Sequence, residues 1–443
     1  MKKRILGSMI LALLTAIATQ AQDTALAEGP LASPYFVDEM HCSGLNSPEV
    51  EETWLLSREE VEPAKKLSQQ NMCERVLHSF GIRKFMWLSP DDLERTATII
   101  RQSGYFQTSE LSIRKSELQN HVHIFLKVVP GLPYYTSINE DFKYFGDKGG
   151  LGSPRFYDHL SAEVTNRKYS PASVNSFGVN MMGTTATQPM NLSYGAVLPD
   201  DQQKLQKRNA YLVDVYWRNQ GAVAKSVTYS FDFHLTDDNT YSDDNSRLNF
   251  ITSGDLLFRS QVNIIRGSTY IGPAAIFSTM TPYQLPTSKG ASVAAFFPGF
   301  KVGYNYGQEF GNNLNFALSY FHASGDQFIY TFDFNLQKHL NFLNSYILLG
   351  VKARDVNDAV LPEDRFPLSA SNDSDSFIGL GKIFKDSEAN QQISGILGTE
   401  TLSYSNNDPT YNVSSGYLGL KYKYVGQTWN INVGASYYFQ RLY

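Results

Sequence analysis

Hydrophobic and polar residues alternate with a period of two along much of the chain, most clearly from Trp429 to Tyr443. Trp429, Ile431, Val433, Ala435, Tyr437, Phe439, Arg441 and Tyr443 share one face. Asn430, Asn432, Gly434, Ser436, Tyr438, Gln440 and Leu442 share the other. A strand of a soluble sandwich alternates over about 4–8 residues. This run is longer and carries aromatic residues near both ends. A strand that crosses a bilayer needs ~9–11 residues, with apolar side chains toward lipid and aromatics at the interfaces. The run therefore predicts a membrane strand that closes a barrel, with the edge strand of a soluble β-protein as the competing reading.

The same period recurs upstream. Tyr211, Val213, Val215 and Trp217 share a face, as do Val227, Tyr229, Phe231, Phe233 and Leu235. Phe328, Tyr330, Phe332, Phe334 and Leu336 form another apolar face, and so do Leu418, Leu420, Tyr422 and Tyr424. The charges Asp232, Asp333, Lys421 and Lys423 fall on the opposite, lumen-facing side. Lys or Arg on the lipid face costs roughly 2–4 kcal/mol at mid-depth, so this placement is the expected one. Roughly fifteen strands can be counted between Arg155 and Tyr443. Single-chain bacterial barrels have even numbers, so the expectation is 12–16 strands with about 14 as the best value. The polar segments Thr236–Ser246 and Asp355–Asp375 read as extracellular loops. Counting strictly up and down from the second of them leaves the last strand pointing opposite to the usual direction.

Residues 34–132 read differently. Tyr35–His41 suits a short strand, and Ser57–Phe80 is helical in composition. Ser89 is a candidate N-cap, with Pro90 at the first helical position and Asp91 and Asp92 in the first turn. Leu93, Ala97 and Ile100 recur at helical spacing, and Gly104 is a C-terminal stop. Two strands follow, Ser109–Lys115 and His121–Val129, joined by the polar tip Ser116–Asn120. Val122, Ile124, Leu126 and Val128 line one face of the second strand, and this strand or Ser109–Lys115 is expected to offer an exposed edge. The order is β-α-α-β-β. Pro133, Gly146, Gly149, Gly150 and Gly152 suggest a linker over 133–153.

The passage Ile100–Phe106, a helix end followed by Gly104, Tyr105 and Phe106 and then a strand, resembles POTRA domains. These periplasmic modules precede the barrels of outer-membrane protein assembly factors and two-partner secretion transporters. The last strand is similar to the closing strand of such barrels, in which the terminal aromatic is part of a sorting signal. The resemblance implies a periplasmic domain over 34–132 and an outer-membrane barrel over 154–443. It also implies a mainly β fold, an antiparallel transmembrane barrel preceded by a small α+β domain. In this superfamily an Arg-Gly-aromatic motif lies on a loop folded into the lumen. Ile265-Arg266-Gly267-Ser268 is similar to it, with Ser268 in place of the aromatic.

The N-terminus sets the compartment. Lys2, Lys3 and Arg4 precede an apolar run from Ile5 to Ile17, and small residues follow at Ala16, Ala18 and Ala21. This is the pattern of a secretory signal peptide over 1–21, with 22–33 a small, polar, disordered segment. Export allows Cys42 and Cys73, the two cysteines, to form a disulfide. Closing a loop of about 32 residues stabilises by roughly 3–4 kcal/mol in the chain-entropy picture. The net charge of −5 gives no basic field for nucleic acid. Aromatics make up 13% of the chain, which suits interfacial girdles.

Candidate chemistry is sparse. His322 and Ser324 share a strand face and resemble the pair used by outer-membrane phospholipases and lipid A deacylases, but no third polar partner is identifiable. His159 and Ser161 repeat the spacing. No cofactor motif or metal cluster is evident, so neither a cofactor nor a metal is expected, and no enzyme activity. The expected partners are outer-membrane lipid and a periplasmic client polypeptide or assembly partner. The leading reading is assembly, insertion or translocation of polypeptide (or lipid) at the outer membrane. A passive channel is the alternative, and a rim-sited lipid hydrolase comes third.

Overall fold

The computed structural model describes residues 34–45, 70, 72–129, 134–145, 155–167, 173–185, 209–238, 255–280, 293–323, 327–340, 345–357, 372–385, 389–403 and 412–442. The segment read as a signal peptide (1–21), the segment 22–33, most of the span read as helical before residue 72, and Tyr443 lie outside these residues.

Residues 34–129 form an α/β module. Its elements are β1 (Tyr35–Ser43), α1 (72–79), β2 (Trp87–Leu88), α2 (Pro90–Gln102), β3 (Thr108–Lys115) and β4 (His121–Val129). The sheet order is β2-β1-β4-β3, with β1 parallel to β4 and the other pairs antiparallel. Val122, Ile124, Leu126 and Val128 point into the core with Val37, Met40, Val76, Leu77, Ile99 and Ile100. Period two on β4 and period 3.6 on the helices thus bury one common apolar layer. The Cys42–Cys73 disulfide ties β1 to α1, with the Cα atoms 5.4 Å apart. Helix α2 starts where its caps direct. The Ser89 hydroxyl accepts from the Asp92 backbone N–H at 3.1 Å, and the Asp92 carboxylate accepts from the Ser89 backbone N–H at 3.3 Å. The helix ends before Gly104, whose φ of +65° needs no side chain in the way.

One correction concerns β4. It is paired on both flanks, by β1 and by β3, so it cannot offer an exposed edge. Its strict apolar alternation marks a strand buried at the sheet's centre, and the open flank belongs to β3.

The barrel strands are β5 (Tyr134–Phe145), β6 (Arg155–Arg167), β7 (Val174–Thr185), β8 (Asn209–Ala224), β9 (Val227–Asp238), β10 (Asp255–Arg266), β11 (Thr269–Met280) and β12 (Val293–Gly307). They continue as β13 (Asn313–His322), β14 (Phe328–His339), β15 (Ser345–Asn357), β16 (Asn372–Lys385), β17 (Asn390–Ser403), β18 (Asn412–Val425) and β19 (Trp429–Leu442). They close into a barrel of 15 strands, near the expected 14. Neighbours are antiparallel except at the seam, where β19 pairs with β5 in parallel from Trp429↔Thr136 to Tyr438↔Phe145.

The segment read as a linker therefore contributes β5, and the barrel begins at Tyr134 rather than at residue 154. Glu140 interrupts the outward face Thr136, Ile138, Phe142 and Tyr144, and glycines follow, so the local signal is that of a turn region. An odd count also explains the strand direction that strict up-and-down counting produced. With fifteen strands the last must run the same way as the first, so parallel closure is the consequence.

Short turns join the strands at the rim where the module sits: 225–226, 267–268, 308–312 and 426–428. β9, β15 and β19 end at the far rim; of the segments read as loops, Thr236–Asp238, Asp355–Asn357 and Asn372–Asp375 belong to strands, and the rest lies outside the described residues. Arg441 accordingly lies on the far rim and not beside the module. The outer surface is apolar: Phe177, Met181, Phe258, Phe296, Ile378, Leu418 and Leu420 are exposed on it. No helix among the described residues is long and apolar enough to cross a membrane. A contiguous apolar belt on a closed barrel, with no open strand edge, is the surface that lipid requires.

Candidate functional site at the junction of module and barrel

Helix α2 lies in the mouth of the barrel. Arg101 donates from Nη1 to the Gly307 carbonyl (3.0 Å) and from Nη2 to the Asn305 carbonyl (3.1 Å), capping the end of β12. The Gln102 side-chain oxygen accepts from the lumen-facing Asn263 amide (3.2 Å) and Thr228 hydroxyl (3.4 Å). Ser268 donates to Glu94 at 3.0 Å, and Gln107 donates to the Tyr135 hydroxyl on β5 at 2.8 Å. Around these contacts Val174, Ala222, Ile265 and Tyr270 of the barrel join the module's apolar core. Burial pulls the Arg101 guanidinium down from its usual range while Glu94, Tyr304 and Tyr306 pull it back, and it stays a cation. Polar bonds and a shared apolar core thus fix the module on the mouth.

The turn 308–312 folds across the same opening. Phe310 is buried against Val129, Tyr346, Ile383 and Val425. Gln337 donates to the carbonyls of Glu309 (3.1 Å) and Gly311 (2.7 Å), and Lys423 pairs with Glu309. Glu309 and Phe310 form one wall of a groove whose other wall is Thr108, Glu110 and Lys127 of the module. The open flank of β3 thus begins beside the entrance to the lumen.

The lumen itself is polar. Lys143 on β5 lies 2.8 Å from Glu400 on β17, and Tyr438 of β19 donates to the same carboxylate. Arg218 bridges Asp232 (2.8 Å) and Glu163 (3.3 Å), and Tyr216 donates to Glu163 at 2.8 Å. His234 and Asn180 both meet Asp214, at 2.9 and 2.7 Å. Gly178 lies beneath the Tyr216 ring, and a Cβ there would meet ring atoms at 2.4 Å. These pairs stitch strands together from inside, between neighbours at Arg218–Asp232, His234–Asp214 and Asn180–Asp214 and across intervening strands at Lys143–Glu400 and Arg218–Glu163, where charge would otherwise lack a partner.

The residues singled out from the sequence fall in separate places. Trp429, Ile431, Val433, Tyr437 and Phe439 lie on the outward face of β19, on the seam strand. Arg266 and Gly267 form the tight β10–β11 turn, with Gly267 at φ +56°. This turn is on the module-side rim and does not fold into the lumen, because only two residues join the paired strands. The segment that does cross the mouth, 308–312, has no charged motif to announce it. Its signal is Gly307, at φ +88°, between an alternating strand and Phe310. His322 points outward beside Tyr320, and Ser324 lies outside the described residues. Ser161 accepts from Asn139 at 3.0 Å and is not poised against His159.

The fold defines a class: a closed membrane-type β-barrel with an N-terminal α/β module docked on one mouth. No protein-family model matches the chain, and no curated protein does. Among solved structures, it is similar to BamA from Haemophilus ducreyi lacking POTRA domains 1–3, at 12% identity and a TM-score of 0.35, covering 91% of this chain and 84% of that one. It is also similar to CdiB from Escherichia coli, at 9% identity and a TM-score of 0.37, covering 95% and 89%.

Proposed function

We propose that this chain is an outer-membrane barrel whose POTRA-like module, in the periplasm, receives an extended polypeptide and presents it to the barrel for insertion or translocation. The observation that supports this is the position of β3. It is the open flank of the module's sheet, and it starts at the groove beside the lumen mouth. An extended chain that adds to a sheet edge gains main-chain hydrogen bonds with little demand on its sequence, which suits varied clients. The parallel seam offers a second place for a client strand, since parallel pairing is slightly weaker per residue than antiparallel pairing.

The passive-channel reading draws on the polar lumen. Against it stand α2 and the turn 308–312, which occupy the mouth.

Proline scanning from Ser109 to Arg114 tests the proposal. Alternate N–H groups of an edge strand point to the neighbour and to the open side. Prolines at the open-side positions leave the β3–β4 ladder intact and abolish client crosslinking and complementation of a deletion strain. If every folded proline variant complements fully, the polypeptide reading fails.

A further inference from the structure

The sheet of the module has one face packed on its helices and one face left uncovered by the described residues, and this free face holds a group of side chains that the barrel strands do not touch. Strand β1 carries an irregularity between Val37 and Glu39, so that Glu39, not Asp38, stands opposite His123 on β4. A bulge of this kind re-aims side chains. Val37 and Met40 remain in the core, while Asp38 and Glu39, although consecutive, both point to the free face. Asp38 is taken by His121, at 2.6 Å. Glu39 is left between two other imidazoles. Its Oε2 lies 3.1 Å from His41 Nε2 and 3.3 Å from His123 Nδ1.

We propose that Glu39, His41 and His123 form a binding site for a divalent transition-metal ion of the zinc class. The three donor atoms lie within 4.8 Å of one another. Two imidazoles and one carboxylate are a zinc ligand set that leaves a fourth position open. With metal–ligand bonds of about 2.0–2.1 Å, the edges of a tetrahedron are roughly 3.3–3.4 Å. Two of the three edges are already close to that length, and rotation of the exposed His41 ring brings the third into range. The rings lie side by side: His41 stacks on Phe125 with centroids 4.8 Å apart and runs nearly parallel to His123, and the Arg114 guanidinium lies over the Phe125 ring. Without the bulge, the parity that keeps Val37 in the core would turn Glu39 and His41 inward together and leave only His123 of the three on the free face. The fourth position faces away from the module's helices and is filled by water or by a donor atom from a partner.

The test uses full-length protein, purified in detergent without a histidine tag and stripped with chelator. Co2+ titration followed by visible absorption, and competition with Zn2+, measure the site. One equivalent of Co2+ binds and is displaced by Zn2+. His41→Ala and His123→Ala each weaken binding at least about tenfold, on the scale that losing even an outer-shell partner costs. His121→Ala, on the same face but paired with Asp38, leaves the affinity unchanged. If an alanine variant does not fold, Glu39→Gln keeps the shape while removing the anionic ligand, and it weakens binding likewise. Wild-type binding no stronger than that of the His41→Ala/His123→Ala double variant overturns the proposal. So does an equal loss in His121→Ala, which would mark diffuse attraction by the whole face.

Discussion

Val433 on β19 lies directly opposite Glu140 on β5, and the two strands run in the same direction. This pair is in the one parallel junction of the barrel, and it sets a carboxylate on the outward face. A double variant, Val433→Cys with Glu140→Cys, forms a disulfide in the membrane-embedded protein, because directly opposite residues fall within the 4.4–6.8 Å Cα range of disulfides. Mass mapping checks this. Crosslinks that appear only in an antiparallel register would remove the fifteen-strand closure.

Glu140 also predicts a stability change. A carboxylate on the lipid face costs less than the roughly 2–4 kcal/mol of a Lys or Arg, so Glu140→Leu stabilises the barrel by about 1–2 kcal/mol. The shift is read from the denaturant midpoint in detergent or lipid. A lower midpoint would mean that the carboxylate has a partner at the seam.

Truncation separates the terminal aromatic from the seam. Every β19–β5 pair lies between Trp429 and Tyr438. Deleting Phe439–Tyr443 therefore leaves closure in place, and the protein stays heat-modifiable on gels. Deleting Trp429–Tyr443 removes the seam strand and abolishes stable insertion. Loss of insertion in the short truncation would assign the last five residues a targeting role.

Arg101 holds the module on the mouth through two carbonyls. Arg101→Ala removes two hydrogen bonds from a charged donor, each worth about 1.5–3 kcal/mol. The expected result is a module cleaved faster by protease and a larger single-channel conductance in planar bilayers. Unchanged conductance with a demonstrably released module would show that the turn 308–312 closes the mouth alone.

Acid weakens the start of α2. Burial raises the Asp92 carboxyl, but the Ser89 hydroxyl, the Ser89 backbone N–H and Arg95 outweigh this and hold it below the usual carboxylate value. A group whose folded value is depressed contributes stability above its unfolded value, near 3.9, and loses it as pH falls through the folded value. The denaturant midpoint of the module drops between about pH 4 and pH 2, and Asp92→Asn flattens that part of the profile. A profile identical to wild type would place the acid sensitivity elsewhere, with Asp38 and His121 the next pair to test.

Period-two alternation was enough to place Tyr229, Phe231 and Phe233 outward and Asp232 inward, because a strand's faces are fixed by parity alone. The cap at Ser89 and the stop at Gly104 were equally local, since each depends on a few backbone groups within one turn. Pairing is not local. Val122, Ile124, Leu126 and Val128 alternate as an edge strand does, and only the arrival of β1 on one flank and β3 on the other makes β4 central. β5 was hidden for the same reason: Glu140 and its flanking glycines spoil the local pattern, while hydrogen bonds to β19 and β6 supply what the pattern lacks. His41 and His123 are far apart in the chain, and it is the bulge at Asp38 and the parallel register of β1 on β4 that bring them to one carboxylate. Which residue sits on which face follows from covalent geometry, whereas which strand sits beside which depends on closing every main-chain edge at once.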